Sequence, residues 1–151
     1  MVRQLRPWYY NTKKRIIKRP KIYFRDTGIL HALLSLEEKK DVLSHPKLGA
    51  SWEGFALEEA IRRIQLKEDE TFFWGVHTGA ELDLVFGKKG KLFGIEVKYT
   101  QAPPLTPSMR FALSELSLKH LWVIYPGKEE YPLSRSVTVI PLANLDKIKV
   151  F

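Results

Sequence analysis

Apolar positions recur along this chain with two different periods, and the switches between them outline its elements. Trp52, Phe55, Ala56, Ala60, Ile61 and Ile64 return at three- and four-residue steps, with Arg62, Arg63 and Lys67 on the other side. That spacing predicts an amphipathic helix. A second such helix is predicted over Pro107–Leu118, gathering Met109, Ala112, Leu113 and Leu116 on one side. Between them, Thr71–Val76, Ala80–Phe86 and Leu92–Tyr99 read as strands. His77-Thr78-Gly79 separates the first two, and Gly87-Lys88-Lys89-Gly90 turns the second into the third. Leu121–Tyr125 and Val137–Ile140 are short apolar runs of strand type, and Leu142–Lys149 suits a final short helix. Upstream, Asp26 is a good N-cap for a helix through Leu30, Leu33 and Leu34, whereas the charged stretch Glu37–Lys47, broken by Pro46, reads as a loop. Gln101–Pro107 is a Pro-rich loop. Helix, three strands, helix and two further strands predict an α/β domain, a mixed sheet with a helix on either face.

Met1–Lys21 follows neither period and contains Pro7 and Pro20, so it reads as an extended arm or the remainder of an upstream region. The expected organisation is therefore a basic arm over residues 1–25 and one domain over 26–151. Charge sharpens this division. Met1–Arg25 holds nine basic residues, among them Arg15, Lys18, Arg19 and Lys21, and no acidic one. The chain has 25 Lys+Arg and 17 Asp+Glu, so its net charge of +8 arises entirely in this segment. Such a block is an electrostatic footprint for a polyanion, with DNA phosphates the expected partner; a solvated linker or a surface for an acidic protein has the same composition.

The remaining composition narrows the chemistry. At 151 residues and 44% hydrophobic content the chain suits one core. No apolar run approaches the roughly 18–20 residues of a membrane span, and no signal-peptide pattern opens the chain, so a soluble, cytoplasmic protein is expected. The absence of cysteine excludes disulfides and thiolate zinc sites. His31, His45, His77 and His120 are scattered without zinc-hydrolase spacing, and neither G-x-S-x-G nor a phosphate-binding G-x-x-x-x-G-K-[ST] occurs. No nucleotide site is expected in this chain.

Two strands break the apolar rule in the same way. In Glu81-Leu82-Asp83-Leu84-Val85, alternation places Leu82 and Leu84 on one face and Glu81, Asp83 and Val85 on the other. In Gly94-Ile95-Glu96-Val97-Lys98, Glu96 and Lys98 share a face opposite Ile95 and Val97. Burying ionised carboxylates is costly, and two side by side repel unless a cation lies between them. Mg²⁺ or Mn²⁺ held by Asp83 and Glu96 resolves the conflict with hard oxygen ligands. Lys98 then stands where an ammonium stabilises charge developing on a phosphate. An ordinary ion pair with Glu96 explains the same residue. The preceding helix offers Glu53, in its expected first turn, and Glu59, whose neighbour Glu58 suggests a solvated face.

Asp83 followed by Glu96-Val97-Lys98 is similar to the D-x(n)-E-x-K signature of the PD-(D/E)XK nuclease superfamily, with Leu82 where that signature's proline stands. The helix beginning Gly49-Ala50-Ser51-Trp52-Glu53 resembles the one that brings a further glutamate in many members. More closely, three stretches resemble the C-terminal domain of unknown function of prokaryotic AAA-type ATPases. They are Lys14–Gly28, Trp52–Phe55, and Glu81–Val85 with Ile95–Lys98. The resemblance implies a restriction-endonuclease-like fold, catalytic Asp83, Glu96, Lys98 and Glu53, and the Val97 carbonyl as a third metal ligand. It also implies Mg²⁺-dependent hydrolysis of DNA and an upstream ATPase module absent from this chain. A non-catalytic module coupling an ATPase to DNA or to a partner is the alternative.

Overall fold

The computed structural model describes residues 1–8 and 19–150. Eight strands form one mixed sheet: β1 (Val2–Pro7), β2 (Lys21–Phe24), β3 (Thr71–Gly75), β4 (Glu81–Lys88), β5 (Lys91–Val97), β6 (His120–Tyr125), β7 (Tyr131–Ser134) and β8 (Val137–Pro141), in the order β2-β1-β3-β4-β5-β6-β8-β7. Among the described residues four α-helices accompany them: α1 (Thr27–Leu33), α2 (Lys39–Ser44), α3 (Leu48–Ile64) and α4 (Pro107–Glu115).

The two predicted amphipathic helices take opposite faces. Ala56, Leu57, Ala60 and Ile61 of α3 pack on Phe73, Leu84, Ile95 and Ile124, while Met109 and Ala112 of α4 pack on Leu82, Val85, Leu121 and Val123. β6 therefore serves both cores, which is why it reads as an unbroken apolar run rather than an alternating one. Local chemistry sets the helix starts. Asp26 Oδ1 accepts the Gly28 N–H at 2.7 Å, and Thr106 accepts the Met109 N–H at 3.2 Å with Pro107 in the first turn. Gly94 lies where β5 passes the α4-side core: a Cβ there would stand 2.7 Å from Leu82 Cδ2 and 3.0 Å from Leu118 Cδ1. Gly94→Ala is expected to cost about 1–3 kcal/mol by overpacking, read as a lower urea midpoint with an unchanged slope.

Three sequence readings are corrected. Residues 1–25 do not stand apart as an arm: β1 pairs antiparallel with β2 (Val2↔Phe24 to Leu5↔Lys21) and parallel with β3. Arg3 and Leu5 of β1 are buried, and Arg3 is ion-paired with Glu58 of α3, so Glu58 belongs to no solvated face. Removing Met1–Arg19 would take away a sheet strand and a core leucine rather than spare the fold. Second, Glu37–Lys47 contains α2, whose start is held by Asp41 accepting the Glu38 N–H at 3.1 Å. Third, Leu82 and Leu84 face opposite cores. Trp74 pairs with Leu82 but Phe72 with Val85, so β4 sets two residues, Asp83 and Leu84, against the single Phe73 of β3. This bulge at Asp83–Leu84 reverses the alternation. The edge strand β7 has no counterpart in the sequence reading.

Candidate functional site

The bulge in β4 places Asp83 at the point where its pairing with β5 ends. The ladder runs from Lys88↔Lys91 to Leu84↔Ile95. Beyond it, Asp83 Oδ2 accepts the Val97 N–H at 2.9 Å, doing the work of a backbone carbonyl. Asp83 and Glu96 are both buried, at 8% and 7% exposure. Their carboxyls are pushed up from the ordinary range, Asp83 to about 7, first by burial and then by the Glu96 and Glu53 charges. Burial likewise raises Glu96, against the pull of Lys98. Lys98, just past β5, donates to Glu96 Oε1 at 2.6 Å, and Trp52 Nε1 of α3 fixes the Lys98 carbonyl at 3.1 Å. Glu96 Oε2 is buried with no hydrogen-bond partner among the described residues.

α3 contributes Glu53. The helix begins at Leu48, with no acidic residue in its first turn, so the macrodipole does not account for Glu53. Its carboxylate accepts from Tyr23 Oη at 2.5 Å and lies 3.6 Å from Lys21 Nζ. Glu59, the other helix candidate, is engaged by Arg62 and Arg63. Glu81 completes the acidic set, with Oε2 at 3.5 Å from Lys21 Nζ.

Lys21 has a role different from the one expected of it. Its ammonium lies 3.5 Å from Asp83 Oδ1, as well as beside Glu53 and Glu81, and 5.4 Å from the Phe73 ring centroid. Burial lowers its pKa, but the Asp83, Glu53 and Glu81 charges outweigh burial and raise it. Lys21 is thus an internal counter-ion and not a free contact for DNA phosphates. Arg3 and Arg25 of the same basic segment are also paired with acids, Glu58 and Glu68. Arg19 is exposed, and Arg15 and Lys18 lie outside the described residues.

The donor set fits a hard divalent cation: two buried carboxylates on neighbouring strands, one with an unused oxygen. Magnesium sites take one or two carboxylates and complete their shell with water. Among the described residues no three or more His, Cys, Asp or Glu side chains already converge as a cage. Val97 joins the group through its N–H. Sequence reasoning missed Glu81, Tyr23 and the central position of Lys21. A signal for Glu81 was present, since alternation placed it beside Asp83.

The family described as "Domain of unknown function (DUF4143)" matches residues 48–145. The chain belongs to the DUF4143 family. DUF4143 is found in proteins associated with AAA-type ATPases. A second domain of unknown function (DUF8612) matches residues 1–40. The DUF4143 match contains Glu53, Glu81, Asp83, Glu96 and Lys98, whereas Lys21 and Tyr23 come from the DUF8612 segment. Uncharacterized proteins of Mycobacterium tuberculosis and Mycobacterium bovis are each 44% identical over 141 residues, 93% of this chain. The chain spans 32% of the length of those relatives. No solved structure matches. No helix among the described residues is long and apolar enough to cross a membrane.

Proposed function

We propose that this DUF4143 domain is a PD-(D/E)XK-type nuclease centre, hydrolysing DNA phosphodiester bonds with Mg²⁺ or Mn²⁺. The observation that carries the reading is the burial of Asp83 and Glu96 on adjacent strands, with Lys98 on the Glu96 carboxylate. Such a pair is costly to bury without compensating charge, and buried carboxylates perturbed in this way mark candidate functional sites. The mixed sheet between α3 and α4 supports a restriction-endonuclease-like fold.

In this reading Asp83 and Glu96 would hold the ion, with Glu53 of α3 beside them. Bound there, a divalent ion would polarise the scissile phosphodiester and draw charge from it. The chain's own groups do the positioning. Asp83 is oriented through Oδ2 by the Val97 N–H, and Glu96 aims the Lys98 ammonium across the strand end. Lys98 Nζ stabilises the negative charge that grows on a non-bridging phosphate oxygen. The net charge of +8 favours a polyanionic substrate, and the greater length of the relatives leaves room for the AAA-type ATPase module that the domain would accompany.

Calorimetric titration with Mn²⁺ tests the reading. One site is expected in the intact chain and none in Asp83→Asn; equal binding by the variant would sink it. A second reading is favoured by Lys21. An ammonium among Glu53, Glu81 and Asp83 neutralises charge without a metal, as a non-catalytic regulatory module attached to an ATPase would require.

A further inference from the structure

We infer that Lys21 is a tethered cation competing with the divalent ion for Asp83, so that strand β2 governs access to the metal site. The inference rests on the metal-site reading above and adds how that site is kept closed.

The contest is over one oxygen. Asp83 Oδ2 is committed to the Val97 N–H at 2.9 Å, and Lys21 Nζ stands 3.5 Å from Oδ1. On Glu96, Oε1 holds Lys98 while Oε2 is buried with no hydrogen-bond partner among the described residues. An ion held by Asp83 and Glu96 would therefore have to share Asp83 with Lys21. The Lys21 ammonium disfavours an ion there, because like charges within about 4 Å repel at a partly buried site.

Lys21 is built to occupy this position and also to leave it. Its distances to Asp83, Glu53 and Glu81 are 3.5, 3.6 and 3.5 Å, so it is suspended among three carboxylates rather than fastened to one. Its side chain keeps 24% exposure, a route toward solvent. Tyr23, two residues on and on the same face of β2, anchors the strand to α3 through Glu53 at 2.5 Å. Charge agrees. Four carboxylates (Glu53, Glu81, Asp83, Glu96) stand beside the Lys98 ammonium, a formal deficit of three charges without Lys21. Lys21 covers part of that deficit when no metal is present. β2 belongs to the segment matched by a different family from the rest of the cluster.

The test is Mn²⁺ calorimetry on the full chain and on Lys21→Met, with thermal unfolding in EDTA and in Mn²⁺. Lys21→Met is expected to bind Mn²⁺ at least about tenfold more tightly, the factor by which a site open in a tenth of the molecules is weakened. Its Tm in EDTA should fall below that of the unmodified chain, and Mn²⁺ should raise it by more. Lys21→Arg, which keeps the charge, should stay weak. If Lys21→Met does not fold, Lys21→Gln makes the same comparison. Binding by the neutral variant that is equal to or weaker than that of the unmodified chain overturns the competition alone. Absence of Mn²⁺ binding by every folded chain overturns the metal-site reading and this inference with it.

Discussion

Replacing Lys98 by alanine is expected to lower DNA cleavage by about two orders of magnitude or more, with DNA affinity nearly unchanged. A preorganised charge-stabilising group contributes that much when it acts only on the transition state. The geometry separates this effect from collapse of the site. Lys98 lies beyond the end of β5, and its main chain is held by its N–H on the Ile124 carbonyl and its carbonyl on Trp52. Truncation removes neither bond. What it removes is the ammonium on Glu96 Oε1, which leaves a buried carboxylate with less to offset its burial. A purely structural Lys98 would therefore register as lost stability with no activity to lose. Single-turnover cleavage and urea unfolding of the same preparations distinguish the two. Cleavage that survives in Lys98→Ala, or that persists in EDTA, would rule out the catalytic role.

How much of this was legible in the sequence depended on whether the deciding partner was near in the chain. The helices α3 and α4 declared themselves because their apolar stripes are local. Asp83 and Glu96 declared themselves because a carboxylate in an apolar strand is anomalous wherever its neighbours lie. β1 did not, although its burial alternates, because one inward position is Arg3, and its neutralising Glu58 is 55 residues away. The basic segment looked uniform for the same reason: Arg3, Lys21 and Arg25 each meet an acid from a distant element. The β4 bulge was invisible because alternation assumes a regular ladder, and the register of β3 against β4 is a long-range fact. The restriction-endonuclease-like reading thus rested on the residues least dependent on distant pairing. The carboxylates around Lys21 could not be read the same way, because its position depends on β1, β2 and α3 all being in place.

Asp83→Asn is expected to stabilise the metal-free protein at pH 8 by a few kcal/mol while abolishing Mn²⁺ binding. An unfolded Asp ionises near 3.8, whereas burial and the Glu96 and Glu53 charges hold the folded Asp83 carboxyl up to about 7. Between these values the folded chain keeps a proton that the unfolded chain has lost, so the stability of the metal-free protein falls as pH rises through that window. Each unit of difference is worth about 1.4 kcal/mol, and the attraction of Lys21 and the Val97 N–H opposes the shift without cancelling it. Asparagine is isosteric and uncharged, and its side-chain oxygen still accepts the Val97 N–H, so it retains the structural bond and removes the buried charge. Urea unfolding in EDTA at pH 4.5, 6 and 8 should show the unmodified chain losing stability across the series and Asp83→Asn following a flatter course above it at pH 8. A variant less stable than the parent at pH 8 would mean that the Lys21–Asp83 attraction outweighs the cost of burial, and that the carboxylate was placed for the fold rather than for an ion.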